Sequence, residues 1–226
     1  MAEILTHIAL ESGRNPQHSI IWLHGLGADG HDFVPMVDEL ELPVAVRFIF
    51  PHAPKIPVTI NGGFVMRAWY DIASPEIDAL QDEAGIRASQ AAIEALIVQE
   101  ISRGIPAQHI FLAGFSQGGA IALHTALRSK VQLAGVLALS AYLPLAELAA
   151  AEAINRSTPV FMAHGRSDPV VPYTLGIASR DQLLDLQCTV EWHDYAMQHN
   201  VCAAELMDIQ TWLTKIIIGE DDPVKS

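Results

Sequence analysis

A serine set between glycines, in the run Gly114-Phe115-Ser116-Gln117-Gly118, constrains the fold of this chain more than any other feature. Residues 109–113 before it are apolar and typical of a buried strand, and residues 120–127 after it have the composition of a helix. On so tight a turn a serine adopts a strained backbone conformation, and glycines leave room where any Cβ would collide with neighbouring elements. The spacing G-x-S-x-G therefore predicts a nucleophile elbow, with the hydroxyl of Ser116 exposed above a sheet.

Apolar strand-like segments alternate with helical segments along the whole chain. Apolar residues recur at helical spacing over residues 86–101, before Gly104, and over residues 206–216, before Gly219. Repeated βα units predict an α/β fold with a mostly parallel, doubly wound sheet and helices on both faces. We expect a single domain over residues 1–226, of which 218–226 form a frayed tail. The predicted strands are residues 6–10, 19–23, 44–50, 109–113, 135–139, 160–163 and 189–193.

Composition excludes several classes of protein. The chain has 226 residues and a formal net charge of −13, which opposes binding to nucleic acid or to anionic membranes. It has no apolar run of the roughly 20 residues that a membrane span needs, so stable membrane insertion is not expected. The N-terminus resembles no secretion signal, and the two cysteines, Cys188 and Cys202, have no metal-binding spacing. We therefore expect a cytoplasmic protein without a metal.

A nucleophilic serine needs a base, and the base needs a carboxylate that orients it. In α/β-hydrolases these residues follow in the order serine, acid, histidine. His199 lies in a loop before the last helix and is the preferred base, while His193, within a predicted strand, is the alternative. Asp168 follows the strand at 160–163 and is the preferred acid, because Asp181 and Asp185 fall in a helical segment.

The tetrahedral intermediate of acyl transfer needs two converging N–H donors. The backbone of Gln117, directly after the serine, is expected to supply one of them. The other should come from a loop after an early strand, and His24-Gly25-Leu26-Gly27 follows residues 19–23. We therefore expect the backbone N–H of Leu26 to be the second donor.

The same early loop supports a rival hypothesis. Its continuation, Gly25-Leu26-Gly27-Ala28-Asp29-Gly30, matches the G-x-G-x-x-G fingerprint of dinucleotide-binding proteins. That fingerprint requires an acid at the end of the next strand, where this chain has Pro51-His52 instead. A thiol nucleophile made of Cys202 and His199 is a second rival, but no elbow accompanies it.

Residues 51–75 form a long excursion without regular periodicity. Long loops of this kind inside compact domains are often lids or binding loops. Phe64, Met66 and Trp69 lie in it and are expected to form an apolar wall beside Ser116 that accepts an acyl chain. The alternative is that these side chains only cap the sheet.

These motifs together resemble the carboxylesterase, lysophospholipase and acyl-protein thioesterase family of small serine hydrolases, from about Ile20 to Leu213. The resemblance implies Ser116, Asp168 and His199 as the triad, and it implies Leu26 and Gln117 as oxyanion donors. The other stretches that carry it are Pro51-His52-Ala53-Pro54, Pro57-Val58-Thr59, Ala68-Trp69-Tyr70-Asp71-Ile72, Asp82-Glu83-Ala84-Gly85-Ile86, Leu139-Ser140, His164-Gly165 and Asp168-Pro169-Val170-Val171-Pro172.

The resemblance implies an esterase that needs no cofactor and acts on a small-molecule ester or an acylated substrate. Lysophospholipase and acyl-protein thioesterase activities remain alternatives on the same machinery, and a non-enzymatic binding module is a remote one. This chain departs from the family at Gln198, where relatives commonly have a small or apolar residue before the histidine. A homodimer also stays open, because the sequence does not determine the oligomeric state.

Overall fold

The computed structural model describes residues 4–74 and 81–219. Seven strands form one sheet in the order β1-β3-β2-β6-β7-β8-β9, and β4 and β5 form a separate two-stranded sheet. β1 pairs antiparallel with β3, and the other pairs of the large sheet are parallel. The strands are β1 (His7–Glu11), β2 (His18–Leu23), β3 (Val46–Pro51), β4 (Lys55–Val58), β5 (Phe64–Arg67), β6 (Ile110–Phe115), β7 (Gly135–Leu139), β8 (Val160–Gly165) and β9 (Val190–Tyr195).

Helices cover both faces of the large sheet. Side chains alternate along β2, so Ile21 and Leu23 pack with α2, α3 and α5, whereas Ile20 and Trp22 pack on the face covered by α1 and α6. Burial on both faces explains why the central strands are apolar almost throughout. The helices are α1 (Met36–Glu39), α2 (Glu83–Ser102), α3 (Gln117–Arg128), α4 (Ala146–Glu152), α5 (Tyr173–Asp185) and α6 (Ala203–Ile218), with short 3-10 helices at Gly30–Phe33, Thr59–Asn61 and Ala107–His109.

The seven strands predicted from the sequence are the seven strands of the large sheet, with bounds that differ by at most two residues. The mostly parallel, doubly wound α/β architecture in a single domain is confirmed. In the expected tail, α6 includes Ile218 and ends at Gly219, whose positive φ of 73° stops the helix. The rest of that tail, residues 220–226, lies outside the described residues.

The excursion at residues 51–75 is less irregular than the sequence suggested. β4 and β5 pair antiparallel and are joined by a 3-10 turn and two glycines, Gly62 and Gly63, with φ of 66° and 79°. Two four-residue strands, one of which contains Pro57, are too short to show an alternating pattern. This hairpin lies outside the large sheet, and the end of the excursion at Pro75 lies outside the described residues.

Candidate active site

Ser116 occupies the turn between β6 and α3, with φ 55° and ψ −121°. A non-glycine residue rarely adopts this conformation, and two hydrogen bonds hold it there. Its N–H donates to the Leu139 carbonyl at 2.8 Å, and its carbonyl accepts from the Ala120 N–H at 3.0 Å. The serine is therefore presented by backbone geometry at the carboxyl edge of the sheet, as the G-x-S-x-G spacing predicted. It is only 8% exposed, however, so the expectation of an exposed hydroxyl is not met.

The glycines of the elbow are required by close backbone contacts. A Cβ on Gly114 would overlap the backbone of Gly118, and a Cβ on Gly118 would overlap the carbonyl oxygen of Leu23 at the end of β2. A Cβ on Gly25 would lie 3.6 Å from Cβ of Ser116. The loop after β2 therefore packs directly against the serine.

Asp168 lies in the turn after β8, and its carboxylate is fully buried. Oδ1 accepts hydrogen bonds from the backbone N–H groups of Val170, at 2.8 Å, and Val171, at 2.9 Å. Oδ2 lies 2.7 Å from Nδ1 of His199. Because a carboxylate can only accept hydrogen bonds, the proton of His199 is assigned to Nδ1, and Nε2 keeps its lone pair.

His199 lies in the loop between β9 and α6, and this loop packs closely on the end of β8. The Ser167 N–H donates to the Met197 carbonyl at 3.1 Å, and a Cβ on Gly165 would overlap the Gln198 carbonyl oxygen. The His199 ring lies 4.6 Å, between centroids, from the ring of Phe115, the residue before Ser116. The structure thus brings the three predicted triad positions to one edge of the sheet, with the Gln198 side chain exposed at its rim.

The alternative base and nucleophile lie in other surroundings. His193 on β9 stacks on Phe161 at 4.8 Å, and its Nε2 lies 2.9 Å from the Glu191 carboxylate. Its Nδ1 lies 3.3 Å from Asp208, so both ring nitrogens face carboxylates other than that of Asp168. Cys202 is the N-cap residue of α6, with a free thiol.

The two expected oxyanion donors have no acceptor among residues 4–74 and 81–219. Gln117 begins α3, and the first N–H groups of a helix lack an intrahelical acceptor. Leu26 lies in the loop that contacts the serine, between Gly25 and Gly27, and its N–H is likewise not bonded within the described chain. The Gly27 N–H is used differently, because it donates to the Arg67 carbonyl at 2.9 Å.

The Gln117 side chain makes contacts that the sequence did not suggest. Its Oε1 accepts from the Trp69 N–H at 2.9 Å, and its Nε2 donates to the Tyr70 carbonyl at 2.8 Å. The amide therefore connects the start of α3 to the segment that follows β5. The sequence offered one indication that Gln117 matters, its position next to the predicted nucleophile. That position did not indicate a contact with Trp69 or Tyr70.

The three residues expected to form an apolar wall lie in different surroundings. Phe64 is 69% exposed on β5. Met66, two residues later, is half-buried, and its sulfur lies 3.8 Å from where a Cβ on Gly27 would be. Trp69 is only 2% exposed, and its indole N–H donates to the His24 carbonyl at 2.9 Å. Met66 thus lies beside the serine-contacting loop, and Trp69 is held in the core beneath it.

The loop with the dinucleotide-like fingerprint is followed by the 3-10 helix Gly30–Phe33 rather than by the long helix that a pyrophosphate site needs. Asp29, His31 and His52 have ligand atoms within 4.8 Å of one another at this point. Hydrogen bonds already engage them, because His52 Nδ1 accepts from the Gly30 N–H at 3.0 Å and His31 Nδ1 lies 2.9 Å from Asp29. These contacts account for the cluster without a bound ion.

Sequence comparison identifies relatives over almost the whole chain. A profile of the phospholipase/carboxylesterase family matches residues 5–217. An acyl-protein thioesterase 1 of Neurospora crassa is 45% identical over 210 residues, which cover 87% of this chain and 86% of the relative. An acyl-protein thioesterase 1 of Yarrowia lipolytica is 38% identical over 208 residues, covering 88% of this chain and 92% of the relative.

Solved structures agree with this relationship. Arabidopsis thaliana SOBER1 superposes with a TM-score of 0.84 at 30% identity, covering 88% of this chain and 99% of that one. Zea mays acyl-protein thioesterase 2 gives a TM-score of 0.83 at 29% identity, covering 94% and 99%. This chain belongs to the phospholipase/carboxylesterase family and is a carboxylic ester hydrolase with the α/β-hydrolase fold.

Proposed function

We propose that this enzyme hydrolyses carboxylic esters through an acyl-enzyme on Ser116, with His199 as general base and Asp168 as its orienting acid. The observation that carries the proposal is the 2.7 Å hydrogen bond between His199 Nδ1 and Asp168 Oδ2. It leaves the Nε2 lone pair of the imidazole free for the serine proton.

In the first half of the reaction, Ser116 Oγ attacks the ester carbonyl carbon while His199 Nε2 takes the hydroxyl proton. The negative charge that develops on the carbonyl oxygen is bound by the N–H groups of Leu26 and Gln117. The intermediate then collapses, and the leaving alcohol or thiol takes its proton from His199. In the second half, His199 deprotonates a water, which attacks the acyl carbon. The C–O bond to Ser116 then breaks, Ser116 Oγ takes the proton back from His199, and the acid is released.

The substrate class is an ester or thioester whose acyl part is apolar. Met66 lies beside the loop that presents the Leu26 N–H, and Phe64 is on the same face of β5 and exposed. We propose that both contact the acyl chain. Trp69 was expected on the same wall, but its burial and its bond to the His24 carbonyl support a role in holding this wall in place.

A thioester substrate is the second candidate, because the relatives from Neurospora crassa and Yarrowia lipolytica are named acyl-protein thioesterases. Oxyesters and thioesters share the reacting carbonyl and differ in the leaving group. A panel of matched octanoyl oxyester, octanoyl thioester and lysophospholipid substrates separates the two activities and the lysophospholipase alternative. The proposal expects the highest kcat/KM, by about tenfold or more, for the octanoyl oxyester. A highest value for the octanoyl thioester would favour the second candidate instead.

The nucleophile is tested with a fluorophosphonate probe and with Ser116→Ala. The wild type should be labelled, the variant should not be labelled, and its kcat should fall by about three to six orders of magnitude without loss of folding. His199→Ala should behave similarly, whereas His193→Ala should keep its activity. A folded Ser116→Ala protein with near-normal turnover would refute the proposal.

The acyl wall is tested with an acyl-length series. Each buried methylene is worth about 0.8 kcal/mol, so kcat/KM should rise from acetate to medium-length esters. Met66→Ala should reduce that rise and leave acetate hydrolysis nearly unchanged. Val65→Ala is the matched control, because Val65 lies on the opposite face of the same strand and is 57% exposed. Equal losses at every chain length would show that Met66 only maintains the shape of the loop.

The hydropathy of the helices and the state of the two cysteines agree with the proposed activity. Among the described residues, no helix has the length and apolar character that crossing a bilayer requires. Cys188 and Cys202 are both free thiols, which supports our proposal that the enzyme works in the reducing cytoplasm. We still predict that the enzyme needs no cofactor and binds no nucleic acid, and a homodimer stays open.

A further inference from the structure

A closed ring of hydrogen bonds holds the loop that follows β2. The Gly27 N–H donates to the carbonyl of Arg67, and the Arg67 guanidinium donates to the carbonyl of Ala53, at 2.9 Å and 2.8 Å. The Ala53 N–H donates to Nε2 of His24 at 3.1 Å, and Nδ1 of His24 lies 2.7 Å from the Gly25 carbonyl. The chain from Gly25 to Gly27 closes the ring.

His24 can take part in this ring only as the neutral Nδ1–H tautomer. Nε2 accepts the Ala53 N–H, so the ring proton lies on Nδ1 and is donated to the Gly25 carbonyl. His24 is 1% exposed. Burial lowers the pKa of His24 below its usual value, which favours the neutral ring.

Arg67 is an unusual member of the ring. It is half-buried, and within the described chain no carboxylate lies within ion-pair distance of it, although the protein carries a net charge of −13. Its main chain and its side chain both act on the same loop, one through Gly27 and the other through Ala53 and His24. These contacts indicate that Arg67 holds the conformation of the loop after β2 and does not serve to pair with a surface charge.

We infer that Arg67 is a positioning residue for the oxyanion hole. The ring encloses Leu26, whose N–H is the proposed oxyanion donor, and it fixes the peptide groups on both sides of that residue. A donor that is fixed before reaction stabilises the transition state more than the bound substrate. Loss of the guanidinium should therefore lower kcat and leave KM almost unchanged. This inference rests on the proposed function.

The test replaces Arg67 by Met, which keeps the apolar stem and removes every donor, and by Lys, whose ammonium group restores hydrogen-bond donors at the end of the side chain. With an acetate ester, Arg67→Met should lower kcat by about 10- to 100-fold with KM within about twofold, and Arg67→Lys should recover most of the loss. A trifluoromethyl ketone, whose hemiketal oxygen occupies the oxyanion hole, should lose affinity by the same factor as kcat/KM. Thermal melting confirms that each variant is folded.

Arg156→Met is the matched control, because the exposed Arg156 also donates to a carbonyl, that of Ala150, at 3.3 Å. Its kcat should equal that of the wild type. Unchanged kcat in folded Arg67→Met, or a loss confined to KM, would overturn the inference. If Arg67→Met does not fold, Arg67→Gln, too short to reach Ala53, carries the same expectation. Should Ser116→Ala stay active, the proposed function fails instead, so the two failures are distinguishable.

Discussion

Replacement of Asp168 by Asn probes the hydrogen bonding of the proposed triad. Oδ1 accepts the N–H groups of Val170 and Val171, and Oδ2 accepts the His199 Nδ1 proton. In the Asp168→Asn variant only the amide carbonyl oxygen can accept the two backbone N–H groups, so the amide NH2 must face His199. Two donors would then oppose each other. The imidazole relieves this conflict by carrying its proton on Nε2 instead of Nδ1. A protonated Nε2 cannot accept the serine proton.

The size of the loss distinguishes this explanation from a simpler one. Loss of one hydrogen bond to a charged group costs about 1.5–3 kcal/mol, which corresponds to about 10- to 150-fold in rate. A histidine held in the wrong tautomer costs about 10⁴-fold in kcat, or about 5 kcal/mol. We expect the larger loss, because the two backbone N–H groups prevent the amide from turning its oxygen toward His199.

The assay measures kcat on a chromogenic acetate ester for the wild type, Asp168→Asn and Asp181→Asn. Asp181 is an exposed residue of α5 paired with the adjacent Arg180, so its variant should be fully active. Nitrogen-15 chemical shifts of the imidazole report directly which ring nitrogen carries the proton. An Asp168→Asn enzyme that is folded and loses less than about 100-fold in kcat would refute the tautomer argument.

Three further predictions concern the elements around the site. Gly165→Ala should lower kcat at least tenfold in a folded protein, because its Cβ would overlap the Gln198 carbonyl oxygen and displace the histidine loop; unchanged kcat would contradict this. Burial lowers the pKa of His124 to about 3. Between pH 6.5 and about 3, the unfolded chain therefore protonates His124 whereas the folded protein keeps it neutral. The free energy of unfolding, measured with urea, should thus decrease as pH falls from 6.5 toward 3, and less steeply in His124→Gln. Glu152→Gln should lower the free energy of unfolding by about 2 kcal/mol, since the buried guanidinium of Arg128 loses the negative charge that lies 2.6 Å from it; a change below about 0.5 kcal/mol would contradict this.

The sequence by itself determined the features that depend on short-range sterics and periodicity. The elbow could be predicted because the turn itself needs glycines: a Cβ on Gly114 would overlap Gly118, four positions away. The contact of Gly118 with the Leu23 carbonyl joins distant segments and was not visible in the sequence. The parallel strands could be predicted because burial on both faces requires continuous apolar runs. Asp168 and His199 were predicted from their place in chain order, and the structure brings their side chains to 2.7 Å from each other, because loops that follow parallel strands meet at one edge of the sheet.

Only the tertiary structure decided how the loop after β2 is held. The Gln117 side chain bonds to Tyr70 and Trp69, which lie 47 and 48 positions before it in the sequence. The Trp69 indole bonds to the His24 carbonyl, 45 positions away. The β4–β5 hairpin that carries Arg67 to Gly27 has strands too short to show a pattern. Such partners are set by where the large sheet places β2 relative to the excursion. No local propensity encodes that placement, because a hydrogen bond between distant segments depends on packing of the whole domain.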